Sequence, residues 1–365
     1  MPAFVFYRKL MQTESRRLIA EQDTYQIWVE SGIPPFIVNF LKTVRLGTDG
    51  AVYRHYDTED RIAHLTRPYV AYATEGDKFV ACMVMSRIET RQGEQSLDSY
   101  YIRYFSAHPD YRGKGITKEM SLLFIDAFAK TLPRGALLYA VLERGNHRSV
   151  KIVNKVGFEH RKPVQTFGFS RFFPKGSKRI ERITTSTEQA EVQELLKDFY
   201  ANYAICHFQN IFQKDRYYVI REQGEIIAGI QVHQTVWKVE SMPGVSGKIL
   251  LQVLPRLPII NKMFNPQQFE FITFEGIYYK PGQEAVLYEL IEGLLAQEKL
   301  KTAIFWLAEG APLAEMFLEQ GKLGLMHQFV KDAGTFLAYN TTKLSDAQQE
   351  ALLRYPPYIS SFDFI

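Results

Sequence analysis

Cysteine is scarce. Cys82 and Cys206 are the only two in 365 residues. Neither sits in a metal-type spacing, so no metal site is expected and both are expected as buried thiols in a reducing compartment. Long apolar runs are missing as well. Nothing approaches the length of a membrane span, and Met1 to Leu10 lacks a long apolar core and a small-residue cleavage site. No membrane partner and no signal peptide are expected, and a cytoplasmic protein is the default. Charge of one sign is also missing: 44 Lys and Arg face 40 Asp and Glu, a net charge of +4. That balance helps attract an acidic cofactor. It is too small to argue for nucleic acid, and no basic block interleaved with aromatics is present. Aromatics are plentiful, with 26 Phe and 21 Tyr, which suits β-rich cores and aromatic-lined clefts. The length suits two domains with a core in each.

The first half is organised around Ala107-His108-Pro109-Asp110-Tyr111-Arg112-Gly113-Lys114-Gly115-Ile116-Thr117. Tyr100 to Ser106 before it is rich in aromatic and β-branched residues and reads as a strand. Ile116, Met120, Leu123, Phe124, Ala127 and Phe128 after it recur at helical spacing. A glycine-bearing turn into a helix N-terminus suits an anion, because the first helical N–H groups lack intrahelical partners. Arg112, Lys114 and Lys118 add positive charge, so a pyrophosphate is the natural guest. The spacing is not that of a nucleotide P-loop: the glycines are two apart, and Ile116 follows Gly115. A dinucleotide fingerprint needs a third glycine and a parallel βαβ context, and neither is evident. A glycine loop with solvated charges is the plain alternative. Further on, Asn146, Ser149, Ile152, Gly157 and Phe158 punctuate a strand, a short helix and the start of another strand.

Together the two segments resemble motifs A and B of the GCN5-related N-acetyltransferases. Arg112 and Gly115 match motif A, with Thr117 where a small residue is usual. Asn146, Ser149 and Gly157-Phe158 match motif B. The resemblance implies an α/β fold with a mixed sheet flanked by helices, and acetyl-CoA as cofactor. It places the pyrophosphate on Arg112, Gly113, Lys114, Gly115, Ile116, Thr117 and Lys118. The pantetheine arm falls on Phe105, Ser106 and Ala107, and Asn146 joins the coenzyme site. The family's customary catalytic places hold Tyr101, Val141 and Val153 here, so the usual acid and base are absent. Tyr101, expected to share a strand face with Arg103 and Phe105, and Glu143, the nearest carboxylate, are the catalytic candidates.

The second half repeats the order of elements. A hairpin around Gln223-Gly224-Glu225 parallels the one around Glu75-Gly76-Asp77. Phe269 to Phe274, Glu284 to Leu295 and Ala303 to Leu307 follow as strand, helix and strand, and Thr335 to Tyr339 closes. The second phosphate loop, Tyr279 to Glu284, keeps one glycine and adds a carboxylate that would repel pyrophosphate. The expectation is two tandem domains of this fold, 1–175 and 176–365, the second degenerate and without coenzyme. Val236 to Pro266 is an insertion, read as a cover over a cleft, a homodimer contact or a packed excursion. Elsewhere Phe4 to Tyr7 and Gln165 to Phe173 read as strands and Thr13 to Trp28 as a helix.

The activity implied is transfer of acetyl from acetyl-CoA to the amine of a small molecule or peptide N-terminus, without a covalent enzyme intermediate. An acyl-CoA sensor without turnover and an aminoacyl or peptidyl transferase are the alternatives. The second domain is expected to narrow the acceptor cleft, and a chain ending near Lys175 to stay soluble and bind acetyl-CoA.

Overall fold

The computed structural model describes residues 16–365 except 23, 48–50, 94, 114, 243, 253 and 257–260. The strand expected at Phe4 to Tyr7 lies outside these residues. No helix among those described is long and apolar enough to cross a membrane.

Hairpins build the first half of the sheet. Strands β1 (Arg16–Gln22) and β2 (Tyr25–Ser31) pair antiparallel, where a helix was expected. The reason is period two: Ile27 and Val29 point inward between half-exposed neighbours, and this alternation outweighs the weaker helical spacing. After helix α1 (Pro35–Leu41), the short β3 (Val52–His55) leaves the first half and pairs with the stretch from Trp237 to Ser241 far along the chain. Helix α2 (Thr58–Ala63) returns the chain to β4 (Pro68–Glu75), β5 (Lys78–Gln92) and β6 (Gln95–Ala107). Helix α3 (Ile116–Thr131), β7 (Ala136–Glu143), α4 (His147–Lys155) and β8 (Phe158–Ser170) follow. The strand expected at Gln165 to Phe173 is the second part of β8, which runs unbroken from the turn at Gly157.

The second half runs β9 (Ile180–Arg182), α5 (Ser186–Phe199), β10 (Tyr217–Glu222), β11 (Glu225–Ser241) and β12 (Phe269–Tyr279). Helix α6 (Glu284–Gln297), β13 (Thr302–Ala308), α7 (Pro312–Gln320) and β14 (Thr335–Asn340) complete it. The order β4-β5-β6-α3-β7-α4-β8 thus recurs as β10-β11-β12-α6-β13-α7-β14, with one hairpin strand fewer at the start.

The halves share one 14-stranded sheet: thirteen strands run β1-β2-β4-β5-β6-β7-β14-β8-β13-β12-β11-β10-β9, and β3 pairs with β11 off this path. The final strand of each half has crossed into the other: β14 lies antiparallel between β7 and β8, and β8 lies antiparallel between β14 and β13. The division at 175 falls in the extended segment after β8, yet backbone hydrogen bonding crosses it throughout the centre of the sheet. Packing follows the pleat. Tyr100, Ile102 and Leu138 face the α3 side with Met120 and Phe124, while Tyr101, Leu137 and Tyr139 face a core built mainly from the second half.

Candidate active site

The path from β6 into α3 is a glycine-bearing turn that enters a helix N-terminus. After a short turn at Pro109–Tyr111, Gly113 and Gly115 take φ of 82° and 81°, a region that favours glycine. Gly115 caps α3 without a side chain, so the first amides of the helix have no side-chain cap. A Cβ built on either glycine would meet nothing within 4 Å, so the backbone faces open space there. Arg112 and Lys118 are exposed beside it, and the Arg112 Nε donates to the Ala107 carbonyl at 3.5 Å. Ile116 and Thr117 sit in the first turn; Lys114 lies outside the described residues. Asn146 caps α4, its Oδ1 accepting from the Ser149 amide at 3.1 Å, and so fixes the turn after β7.

Strands β6 and β7 then splay. They pair in parallel only from Asp98 with Ala136 to Ile102 with Ala140. Beyond that point β6 keeps pairing with β5, and β7 with β14, so the edges of Arg103–Ala107 and Val141–Glu143 that would meet are apart. A bulge opens the gap: register slips between Cys82 and Val84, and Tyr104 has φ 51°. The bulge also overturns the expectation that Tyr101, Arg103 and Phe105 share a face. Phe105 and Ala107 pack on the α3 side, whereas Tyr101 belongs to the opposite core. Phe105, Ser106 and Ala107 remain half-buried along the gap.

On the face away from α3, the floor beneath the splay comes from distant parts of the chain. Tyr101 stacks on Tyr139 at 5.0 Å, and its hydroxyl donates to the Asp363 carbonyl at 2.9 Å. Burial, and then the Asp363 charge, push its pKa upward. Arg103 donates from Nη2 to the Tyr104 hydroxyl at 3.0 Å and to the Ile365 carbonyl at 3.1 Å. Strand β3 brings Tyr53 and His55, stacked against Trp237 of β11 at 4.2 and 5.2 Å. Glu143 is half-buried at the end of β7, and its charge helps raise the Tyr53 pKa after burial has done most of it. Asp363 brings a carboxyl to this floor, its side chain 8% exposed and 3.9 Å from the His207 Nε2. Burial raises its pKa to about 7; Arg103 pulls it down and Glu275 pushes it up. Sequence reasoning missed Asp363, Arg103's charge, His55 and Tyr53 because no local pattern marks them.

The second half has the same geometry, with a small cavity at its gap lined by Tyr200, Tyr203, Gly276 and Tyr358. Strands β12 and β13 pair only at Ile272 with Ala303, and Gly276 has φ 54° at a register slip. There the chain's own side chains take the backbone groups. Tyr217 donates to the Gly276 carbonyl at 2.9 Å, Tyr200 to the Ile277 carbonyl at 2.7 Å, and Tyr358 accepts from the Gly276 amide at 3.2 Å. Ser361 donates to the Phe274 carbonyl at 2.6 Å. In the loop before α6, the Gly282 amide donates to the Glu284 carboxylate at 3.1 Å, so an internal anion already takes an amide at this helix start. The C-terminal segment therefore runs from the second gap, at Tyr358, to the floor of the first, at Asp363.

Residues 39–159 match the model of the acetyltransferase (GNAT) domain. No curated protein matches the sequence. Among solved structures, Saccharomyces cerevisiae N-myristoyltransferase with bound myristoyl-CoA superposes with a TM-score of 0.54 at 10% identity, over 89% of this chain and 84% of that one. A second structure of the yeast enzyme, with myristoyl-CoA and inhibitors, gives 0.56 at 10% identity, over 89% and 81%. At that identity the likeness is one of fold, and it spans both halves.

Proposed function

We propose, from the GNAT-domain match over residues 39–159 and the shared fold, that the chain is an acyltransferase that moves an acetyl group from acetyl-CoA to the amine of a small molecule or a peptide N-terminus. The supporting observation is the continuous path in the first half: glycine turn, bulge, splay and polar floor, against a second half whose gap backbone is already bonded to the chain's own tyrosines and Ser361. The Gly113–Thr117 backbone and Arg112 hold the pyrophosphate, and the free edge of Phe105, Ser106 and Ala107 holds the pantetheine amides. A short acyl group suits the floor, because an alkyl chain laid over Arg103 would bury a guanidinium that keeps unpaired nitrogens.

In the transfer, the amine nitrogen bonds to the thioester carbonyl carbon and the C–S bond breaks, its electron pair leaving with sulfur. The amine's proton goes to the Asp363 carboxylate, and the thiolate takes up a proton to leave as free CoA. Tyr101 acts here by holding the Asp363 backbone, because its hydroxyl already donates to that carbonyl. Glu143, on the opposite lip of the gap, is the second carboxylate within the site and the fallback for the proton.

Two measurements test the coenzyme reading. Gly115→Val is expected to abolish acetyl-CoA binding in calorimetry, since the left-handed backbone strains any branched residue and its side chain fills the space beside the cradle. Unchanged affinity in a folded variant would sink the assignment. The wild type should titrate with one acetyl-CoA per chain and bind myristoyl-CoA no tighter. A stoichiometry of two would mean that Glu284 and the tyrosines yield to ligand.

A further inference from the structure

We propose that the loop after β8 docks this protein on an anionic lipid surface. Phe172 and Phe173 enter the headgroup layer, and the lysines around them face the lipid phosphates. Phe173 is 78% exposed and Phe172 40%; among the described residues no large apolar side chain is more exposed than Phe173. A lone exposed apolar side chain is ordinary, but adjacent phenylalanines rimmed by charge mark a contact surface.

The fold gathers the cations. Lys301 sets its Nζ 5.4 Å from the centre of the Phe173 ring and donates to the Phe172 carbonyl. Arg171 donates to the Lys322 carbonyl at 2.7 Å, which brings Lys322 to the same end of β8. The chain then follows the last turns of α6: the Lys175 amide donates to Glu292 at 2.9 Å and the Ser177 hydroxyl to Glu289 at 2.7 Å. Lys175, Lys178, Lys299 and Lys322 are exposed. The arginines of this surface are already paired, Arg171 with Glu292 at 3.3 Å and Arg179 with Glu289 at 2.7 Å. Among the described residues no carboxylate lies within ion-pair distance of Lys175, Lys178, Lys299, Lys301 or Lys322.

Unmatched ammonium groups call for an anionic partner. A second copy of this chain is a poor one, because a two-fold contact sets the lysines of one patch against those of the other. A nucleic acid strand lays its bases on aromatic platforms beside free guanidinium forks. Here the Phe173 ring stands clear of the surface and the guanidiniums are taken. An aromatic wedge among lysines suits a lipid interface, where the ring enters the acyl boundary and the ammonium groups stay with the phosphates. The contact needs no membrane-spanning helix. It also orients the molecule. Strand β8 runs parallel to β6 and β7 with β14 between, so it leaves the sheet at the edge where β6 and β7 splay. Docking turns that edge towards the lipid.

Cosedimentation of the full chain, without coenzyme, tests this. The probes are vesicles of equal parts phosphatidylglycerol and phosphatidylcholine, and vesicles of phosphatidylcholine alone. Binding should be about tenfold or more tighter on the anionic vesicles and should weaken as salt rises. Phe173→Ser should weaken it about tenfold. Lys175→Gln with Lys178→Gln should weaken it about 25-fold, at roughly fivefold for each charge. Melting temperatures should match the wild type, since all three side chains are exposed. Equal binding to both vesicle types overturns the proposal, as does anionic binding that neither variant weakens. Tighter binding to a single-stranded oligonucleotide than to the anionic vesicles, lost in the same variants, assigns the patch to nucleic acid and overturns it too.

Discussion

Asp363→Asn should lower kcat by about 100-fold or more, the usual weight of a positioned general base, while raising thermal stability at pH 8. The opposite signs carry the diagnosis. Burial lifts the Asp363 pKa to about 7, and the groups facing it from the packed elements are Arg103 and Tyr101 on β6, Tyr139 on β7, Glu275 on β12 and His207. Only the ionised form can accept the amine's proton, so the wild-type rate should climb with pH and level off above about 7. Stability runs the other way. The folded carboxyl holds its proton where the unfolded one, near its ordinary value of 3.8, has lost it. The folded state is therefore favoured below that value and loses this contribution as pH rises towards 7. The ceiling on the loss is roughly 4 kcal/mol, and asparagine removes it. Melting temperature against pH and kcat against pH, each for both proteins, are the measurements. A variant that keeps wild-type kcat, or loses stability and activity together at pH 8, would show that Asp363 only anchors the C-terminal segment, whose Phe364 stacks on Trp306 at 4.7 Å.

The parts of this molecule that speak in sequence are those whose physics is local. A turn that needs left-handed backbone calls for Gly113 and Gly115, and a helix N-terminus without a side-chain cap follows directly. Glu284 read as hostile to phosphate for the same reason, and in the structure it accepts from the Gly282 amide. Non-local choices left no such trace. Thr13 to Trp28 carries apolar residues at both spacings, and pairing with β4 decided for strand. The slip at Tyr104 turned Phe105 to the other face, although a lone Tyr in an aromatic strand signals nothing. Asp363 sits in Phe-Asp-Phe-Ile, a run that reads as an apolar tail. Its meaning comes from Arg103, His207 and Glu275, which only the fold brings near. Strands β8 and β14 each read as the closing strand of their own half, and nothing in either says that they trade places.

That exchange sets the last expected result: a chain ending at Lys175 should be insoluble, where sequence alone suggested a soluble coenzyme-binding piece. The cut removes β13 and β14, and with them both sheet partners of β8 and one of the two partners of β7. Two long strands would then offer unpaired edges, which invite pairing between chains. The face beneath them is apolar. Leu137, Tyr139, Val164, Phe167 and Phe169 are each no more than 1% exposed in the whole protein, in a core supplied mainly by the second half. At about 2 kcal/mol for each side chain, uncovering them forfeits roughly 10 kcal/mol, as much as the entire stability of an ordinary domain. Coexpressing 1–175 with 176–365 should restore a soluble, equimolar complex that binds one acetyl-CoA, because each piece then supplies the strand the other lacks. Size-exclusion chromatography with light scattering decides it. A monomeric 1–175 that binds acetyl-CoA would mean that β8 can close its own half, and that the observed exchange is one of two pairings available to the sequence.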